Sequence, residues 1–400
     1  VKRLLSSFLI VASLVTWIVA CDFSSSNEHP DANQPEDTLS ADNGADSADE
    51  DVPPPVDASD TGVDDVATTT AYTLHEWGVN TVKPGGSSTI GGGPEKLWES
   101  IDRKPVIYIY SDDQFVLDVA VEFNSGISTE TWPIVPNAAN VAWNNIQVGS
   151  TTCTTTATPQ PDYTGGDIES LEIYDLPTWV VEDANCLTCG DTVSKLLFYT
   201  GTFQNYVPIM ESSASVDTTT NKVSFSLTNT FSQPIGKVIA LYRYAESTCY
   251  DPGYCPVHTA DIAVTTVDSI APGETKVVEA ELFRLHKDVT DEDPYPSVVL
   301  PTESGWEDLP AELSQMLSDA GLTDDEIYVF REAWATVFFG LVGEDRKPEF
   351  PFYDSGAFLI YLWPDARTEQ KVPMTLVPAP SEKIRAIVEY QQIETTSTPL

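Results

Sequence analysis

Asn221-Lys222-Val223-Ser224-Phe225-Ser226-Leu227-Thr228 decides the fold, because its apolar residues recur every second position and leave a polar face between them. An extended chain alternates its side chains, so Val223, Phe225 and Leu227 share a buried face while Ser224, Ser226 and Thr228 face water. Outward from it, Val238 to Tyr244 forms a second apolar run, and Ala271-Pro272-Gly273-Glu274 turns the chain into Val277 to Leu282. The stretch 221–283 therefore predicts the strands of an immunoglobulin-like β-sandwich, one sheet's inner face against another's.

Toward the N-terminus the same period persists. Val106-Ile107-Tyr108-Ile109-Tyr110 reads as a buried strand, Ser111-Asp112-Asp113 as a turn, and Leu117, Val119, Val121 and Phe123 as the return strand of a hairpin with one wet face. Residues 94–101 read as a short helix. Toward the C-terminus the period changes. Residues 309–320 and 324–338 read as helices, with Gly321 to close the first and Thr323-Asp324-Asp325-Glu326 at capping-box spacing for the second. Ile327, Phe330, Trp334 and Phe338 then share a helical face, the pattern of a core contact. Strands are expected at 356–363, 372–377 and 384–393. The fold class is β-rich α+β, with sandwich elements over 71–290 and an α+β region over 291–400 packed on them.

The first 70 residues are different. Lys2-Arg3, an apolar run from Leu4 to Val19 and Ile18-Val19-Ala20-Cys21 make residues 1–20 an export signal, too short to span a bilayer. The last four residues resemble the bacterial lipobox, which implies lipidation of Cys21, cleavage before it and anchoring to the cell envelope. Two or three acyl chains hold a protein on a bilayer where one does not. The choice between membranes stays open. From Asp22 to Asp65 the chain carries fourteen carboxylates, and residues 22–70 contain no Lys or Arg. Such a segment cannot bury enough apolar surface to offset its ordering entropy. Residues 21–70 thus predict a disordered acidic tether, stiffened at Pro53-Pro54-Pro55. No Asp-x-Asp-x-Asp-Gly pattern marks a calcium loop in it.

The whole chain has 20 basic and 62 acidic residues; beyond position 70 there remain 18 and 48. Acidity is thus a property of the folded part too. Nucleic acid is excluded as a partner, because contact would add repulsion instead of releasing counterions. A basic protein or a saccharide is compatible with the charge.

Several short motifs occur in order: Leu74-His75-Glu76-Trp77-Gly78, Lys104-Pro105-Val106-Ile107-Tyr108, Leu197-Phe198-Tyr199-Thr200-Gly201, Ala320-Gly321-Leu322 and Pro378-Ala379-Pro380. Together they resemble a family of exported bacterial proteins with a HEWG opening, found in planctomycetes and myxobacteria-like lineages. The similarity runs over residues 71–394. Val79-Asn80 stands where that family has Thr-Phe. The family has no established activity, so the resemblance implies a shared fold and export but no chemistry.

Two groups of residues carry candidate chemistry. His75 and Glu76 together could hold a metal and activate its water, as a hydrolase would require. Neighbours on a strand point to opposite faces, however, and the alternative is that each makes a buried polar contact, with Trp77 in the core. Beyond Cys21 lie Cys153, Cys186, Cys189, Cys249 and Cys255. In an oxidising compartment disulfides are the default: Cys249 with Cys255, and Cys153 with Cys186 or Cys189, leaving one thiol over. The rival arrangement is a zinc site of Cys186, Cys189, Cys255 and His258, since both pairs have the two-residue gap of structural zinc. A redox pair at Cys186 and Cys189 lacks its strand-to-helix setting.

No Gly-x-Ser-x-Gly, Ser-x-x-Lys, Gly-x-x-x-x-Gly-Lys or Gly-x-Gly-x-x-Gly occurs. Gly91-Gly92-Gly93 lacks a basic residue placed for phosphate and reads as a loop. Trp132, Trp179 and Trp363 have apolar neighbours and belong to the core before any sugar-stacking role. The reading that follows is a lipid-anchored, extracytoplasmic envelope protein. Its folded part is expected to be a binding or architectural module without a cofactor. The alternative is a metal-dependent hydrolase using His75 and Glu76.

Overall fold

The computed structural model describes residues 71–84, 87–90, 105–153, 180–247, 257–286, 302–339 and 355–397. The first strands are β1 (Thr73–Lys83), β2 (Ser87–Ile90), β3 (Val106–Tyr110), β4 (Phe115–Glu122), β5 (Gly126–Trp132), β6 (Asn140–Val148), β7 (Leu187–Cys189), β8 (Thr192–Ser194) and β9 (Leu197–Phe203). Then come β10 (Met210–Asp217), β11 (Lys222–Asn229), β12 (Val238–Ser247), β13 (Val257–Val267), β14 (Thr275–Glu281) and β15 (Phe283–His286). The helices α1 (Leu309–Asp319) and α2 (Asp324–Phe339) precede β16 (Gly356–Leu362), α3 (Asp365–Lys371), β17 (Met374–Val377), β18 (Glu382–Ile393) and β19 (Thr395–Ser397).

The strands form three sheets. A ten-stranded sheet runs β15-β13-β12-β16-β18-β1, continues through β2 and β3 to β9, and ends with β5. Four strands in the order β14-β11-β10-β19 make the second sheet, and β17-β4-β6-β7-β8 make the third. The large sheet is buried on both faces. One face packs on α1 and α2, through Trp77, Val79, Tyr108, Ile239, Phe330 and Trp334. Its other face shares a core with both smaller sheets, through residues such as Leu74, Ile109, Val119, Trp143, Phe225 and Ile387. Continuous apolar strands such as β3 and β16 lie where a strand must satisfy both faces.

The sandwich expected over 221–283 is present, divided between two sheets. β11 and β14 pair in the four-stranded sheet, whereas β12, β13 and β15 pair in the large one. Val223, Phe225 and Leu227 meet Val238, Ala240 and Ala263 in the shared core. The expected hairpin over 106–123 is absent. β3 pairs with β1 and β9, and β4 pairs with β6 and β17. Ser111 to Gln114 instead carries the chain from one sheet to another. Asn185 fixes that crossing: its Oδ1 accepts from the Ser111 amide at 2.7 Å, and its Nδ2 donates to the carbonyls of Ser111 at 3.0 Å and Gly149 at 2.6 Å. Period-two patterning reports which face of a strand is wet, not which strand lies beside it.

Both helices start and stop where the sequence places them, to within one residue. The α1 terminus is a Schellman motif: Leu322 N–H donates to Leu317 O at 3.2 Å, Gly321 N–H donates to Ser318 O at 2.9 Å, and Gly321 has φ +96°. α2 opens on the expected capping box. The Thr323 amide donates to Glu326 Oε2 at 2.8 Å, and the Glu326 amide donates to Thr323 Oγ1 at 3.3 Å. At its other end, Arg243 of β12 donates to the carbonyls of Val337 at 3.0 Å and Phe338 at 2.8 Å. A buried guanidinium there satisfies the last carbonyls and complements the negative end of the helix dipole. The short helix α3 was not expected from the sequence, which read 372–377 as the next element after 363. Pro364 at its N-cap, Asp365 in the first turn and Lys371 in the last are its local signals.

β1 and β18 run parallel at the centre of the large sheet, with Glu76 opposite Arg385 and Asn80 opposite Glu389. The chain's first and last long strands are thus neighbours. The C-terminal region contributes the middle of the sheet that the N-terminal region begins. The helix proposed at 94–101 lies outside the described residues, as do residues 1–70. Among the described residues no helix is long and apolar enough to cross a membrane.

Candidate functional site

β1 presents His75 and Glu76 to opposite faces, so they share no site. His75 turns to the helix layer, where its Nδ1–H donates to Glu326 Oε2 at 2.8 Å and stands 3.1 Å from Oε1. Tyr110 of β3 donates its hydroxyl to the same Oε1 at 2.9 Å and packs its ring 4.8 Å from the imidazole. The carboxylate that closes the α2 capping box is therefore also the group that ties α2 to β1 and β3. Burial, with the Glu326 charge second, pushes the hydroxyls of Tyr108 and Tyr110 up from their usual range.

Glu76 points the other way, into the core between sheets, and is fully buried. Tyr199 of β9 donates to its Oε1 at 2.5 Å, and Arg385 Nε donates to its Oε2. Arg385 Nη1 continues to Glu369 of α3 at 3.2 Å, and Lys383 closes the row on that carboxylate at 2.6 Å. Two carboxylates and two cations alternate, so the row carries no net charge. One guanidinium nitrogen, Nη2, has no partner in it. A metal held jointly by His75 and Glu76, as hydrolysis would need, has no geometric basis here. Pleating of a regular strand is the physical reason.

Two residues along β1 lies Gly78, where a Cβ would stand 2.7 Å from Pro105 Cγ and 2.9 Å from its Cα. Here the Gly of the HEWG segment and the Pro of the next motif meet, and only a hydrogen side chain admits the contact. Tyr199, from the third motif, supplies the hydroxyl on Glu76. The first three motifs thus lie side by side on β1, β3 and β9.

Further along the same face sits a second buried carboxylate, Glu389 of β18. Its donors are Asn80 Nδ2 at 3.0 Å, Tyr361 hydroxyl at 2.8 Å, Tyr206 hydroxyl and Trp363 Nε1. All are neutral. The Tyr206 and Trp363 rings stack at 6.4 Å, and the Arg367 guanidinium covers them at 5.0 and 5.8 Å. Lys371 Nζ lies 5.2 Å from the Tyr206 ring centre and 5.6 Å from that of Phe203. Burial first, then the Glu389 charge, pushes the hydroxyls of Tyr206 and Tyr361 well up.

The sulfur chemistry is resolved for three cysteines. Cys153 bonds Cys186, with α-carbons 5.5 Å apart, which selects one of the two pairings that spacing left open. Cys189 is disulfide-bonded as well, and none of the described cysteines is free. The zinc arrangement is therefore corrected for its first pair, because a sulfur in a disulfide is no thiolate ligand. Cys249 and Cys255 lie outside the described residues, as does Cys21. His258 belongs to β13 by its backbone, and its side chain is outside the description. Trp132 and Trp363 are buried, as their neighbours foretold, and Trp179 lies outside the described residues.

Sequence reading gave Glu326 only its capping role and passed over Arg385, Glu389, Arg367 and Lys371. A signal existed for two of these four. Arg385 and Glu389 each interrupt the apolar run Ile384 to Tyr390, and a charge inside a strand buried on both faces must have a partner. Nothing local identifies that partner, which lies some 309 residues away for Glu76 and Asn80 alike.

No family model matches the chain, and no curated protein matches it. Among solved structures the chain is similar to a candidate protease from Parabacteroides distasonis, at 8% identity and a TM-score of 0.10, over 66% of this chain and 50% of that one. The chain thus spans half the length of that protein, and the likeness carries no argument about fold or chemistry.

Proposed function

We propose that this chain is a lipid-anchored, extracytoplasmic envelope protein whose folded part is a binding or architectural module, held away from its membrane by the acidic segment 21–70. The observation that carries the module reading is the use of its buried carboxylates. Glu76, Glu326 and Glu389 each accept hydrogen bonds from side chains on other strands, and each ties parts of the fold that are remote in sequence. Carboxylates committed in this way hold layers in register; a hydrolytic site would keep one of them poised over a reacting atom. The Cys153–Cys186 disulfide supports an oxidising compartment, and the lipobox-like Ile18-Val19-Ala20-Cys21 supports the anchor.

Cell fractionation of Cys21→Ser tests the location: the variant is expected in the soluble fraction or as an unprocessed precursor, and a processed variant that still partitions with membranes overturns the anchor. Native mass spectrometry of the full chain before and after chelation tests the module reading. The expected mass is unchanged by chelator in wild type and in His75→Ala. A stoichiometric metal that chelation removes, and that His75→Ala loses with the fold intact, overturns it.

A further inference from the structure

Lys371 and Arg367 are four residues apart on α3 and therefore on one helical face, where like charges repel. The chain has 20 basic residues against 62 acidic ones, so two cations placed together need a reason. The charge nearby does not cancel. Among the described residues, the two cations Lys371 and Arg367 stand with one carboxylate, Glu389, so this group of three carries one positive charge in excess. Burial and the Arg367 charge pull the Lys371 ammonium below the usual lysine range, and Glu389 only partly restores it. Arg367 is 6% exposed, and its Nε has no partner. Its other nitrogens donate to Gln370 Oε1 at 2.9 Å and Val207 O at 2.7 Å. Lys371 Nζ touches only aromatic faces among the described residues.

Among the described residues, neutral side chains border this pair. Two turns flank the pair: Asn124 N–H donates to Lys371 O at 2.9 Å, and Gln204 N–H donates to Ser125 O at 2.8 Å. Asn124, Gln204 and Asn205 are exposed neutral amides, and Asn124 Nδ2 donates one of its hydrogens to Gln370 O at 2.7 Å. The one acid of α3 on this side of Asp365, Glu369, is occupied by Lys383 and Arg385. Compare the Glu76 row, where every cation has its carboxylate.

We propose that Lys371 and Arg367 form a site for an oxyanion, the carboxylate or phosphate group of an extracytoplasmic ligand. This inference rests on the binding-module reading and names its ligand class. An anion there would neutralise the excess charge and pair with Lys371 beside exposed neutral amides.

The test is a titration of the full chain with inorganic phosphate, glucuronate and, as the uncharged control, glucose. The readouts are the Lys371 ε-methylene NMR signal, assigned by its loss in Lys371→Gln, and calorimetry. A saturable shift of that signal with phosphate or glucuronate but not glucose is expected. Phosphate alone identifies a phosphoryl ligand, and glucuronate alone a carboxylated saccharide. Lys371→Gln should weaken binding by roughly tenfold or more, and Lys371→Arg should restore most of it. A signal unmoved by both anions, or an affinity unchanged in Lys371→Gln, overturns the site. The module reading would survive either result, since it is carried by the buried carboxylates and tested by metal stoichiometry and His75→Ala.

Discussion

Glu76 and Glu389 are equally buried, lie on the same face of the same parallel strand pair, and are held in opposite ways. Glu76 belongs to a row of alternating charges that reaches the surface at Lys383 and is neutral as a whole. Glu389 is solvated by neutral donors, two tyrosines, an asparagine and an indole, and its two cations stand behind aromatic rings. The difference teaches what each is for. A paired carboxylate with an internal guanidinium fixes register between β1 and β18. A carboxylate saturated by neutral donors does not need its cations, which are left for something else.

The largest effect separating the two sites should come with alkali. Tyr199 at the first site, Tyr206 and Tyr361 at the second, and Tyr108 near Glu326 are all pushed well above the ordinary tyrosine value of 10.0 by burial and, secondarily, by the carboxylate each faces. Each hydroxyl stays neutral in the folded protein and ionises in the unfolded chain. Their stabilisation is therefore whole below pH ~10 and is lost as pH rises above it, at about 1.4 kcal/mol per hydroxyl per pH unit. Four hydroxyls together give a limiting slope of about 5.5 kcal/mol per unit. Urea unfolding at pH values of about 9 to 11 measures it, and a flat profile would break the picture of sealed carboxylates. Tyr206→Phe with Tyr361→Phe should remove twice as much of the slope as Tyr199→Phe.

Next in size is the ion pair. Arg385→Met leaves Glu76 buried without its cation and should cost about 3–5 kcal/mol in urea unfolding at neutral pH. Adding Glu76→Gln should recover part of that loss, because the uncompensated charge is what hurts. A double variant no better than the single one would show that the pair acts through shape alone. The smallest effect belongs to the second site. Lys371→Gln relieves the repulsion with Arg367 and should change stability by no more than about 0.5 kcal/mol. A loss of several kcal/mol would mean that Lys371 is Glu389's structural partner, and the contrast between the sites would collapse.

The sequence by itself determined the two long helices, several of the strands and their wet and dry faces. Alternation at Val223, Phe225 and Leu227, the Schellman glycine at 321 and the box from Thr323 to Glu326 all act within a few residues, so their physics is complete before the chain folds back on itself. Pleating pointed His75 and Glu76 to opposite faces, and the structure gives each its own partner. What only the tertiary structure decided is who meets whom. β3 and β4, adjacent in sequence and patterned like a hairpin, entered different sheets, while β1 and β18 became parallel neighbours at a separation of some 309 residues. Charges in apolar runs announced that Arg385 and Glu389 would need partners, but those partners were chosen by strand order. Strand order is set by how three sheets and two helices bury all their apolar faces at once, a collective condition that no local stretch of residues encodes.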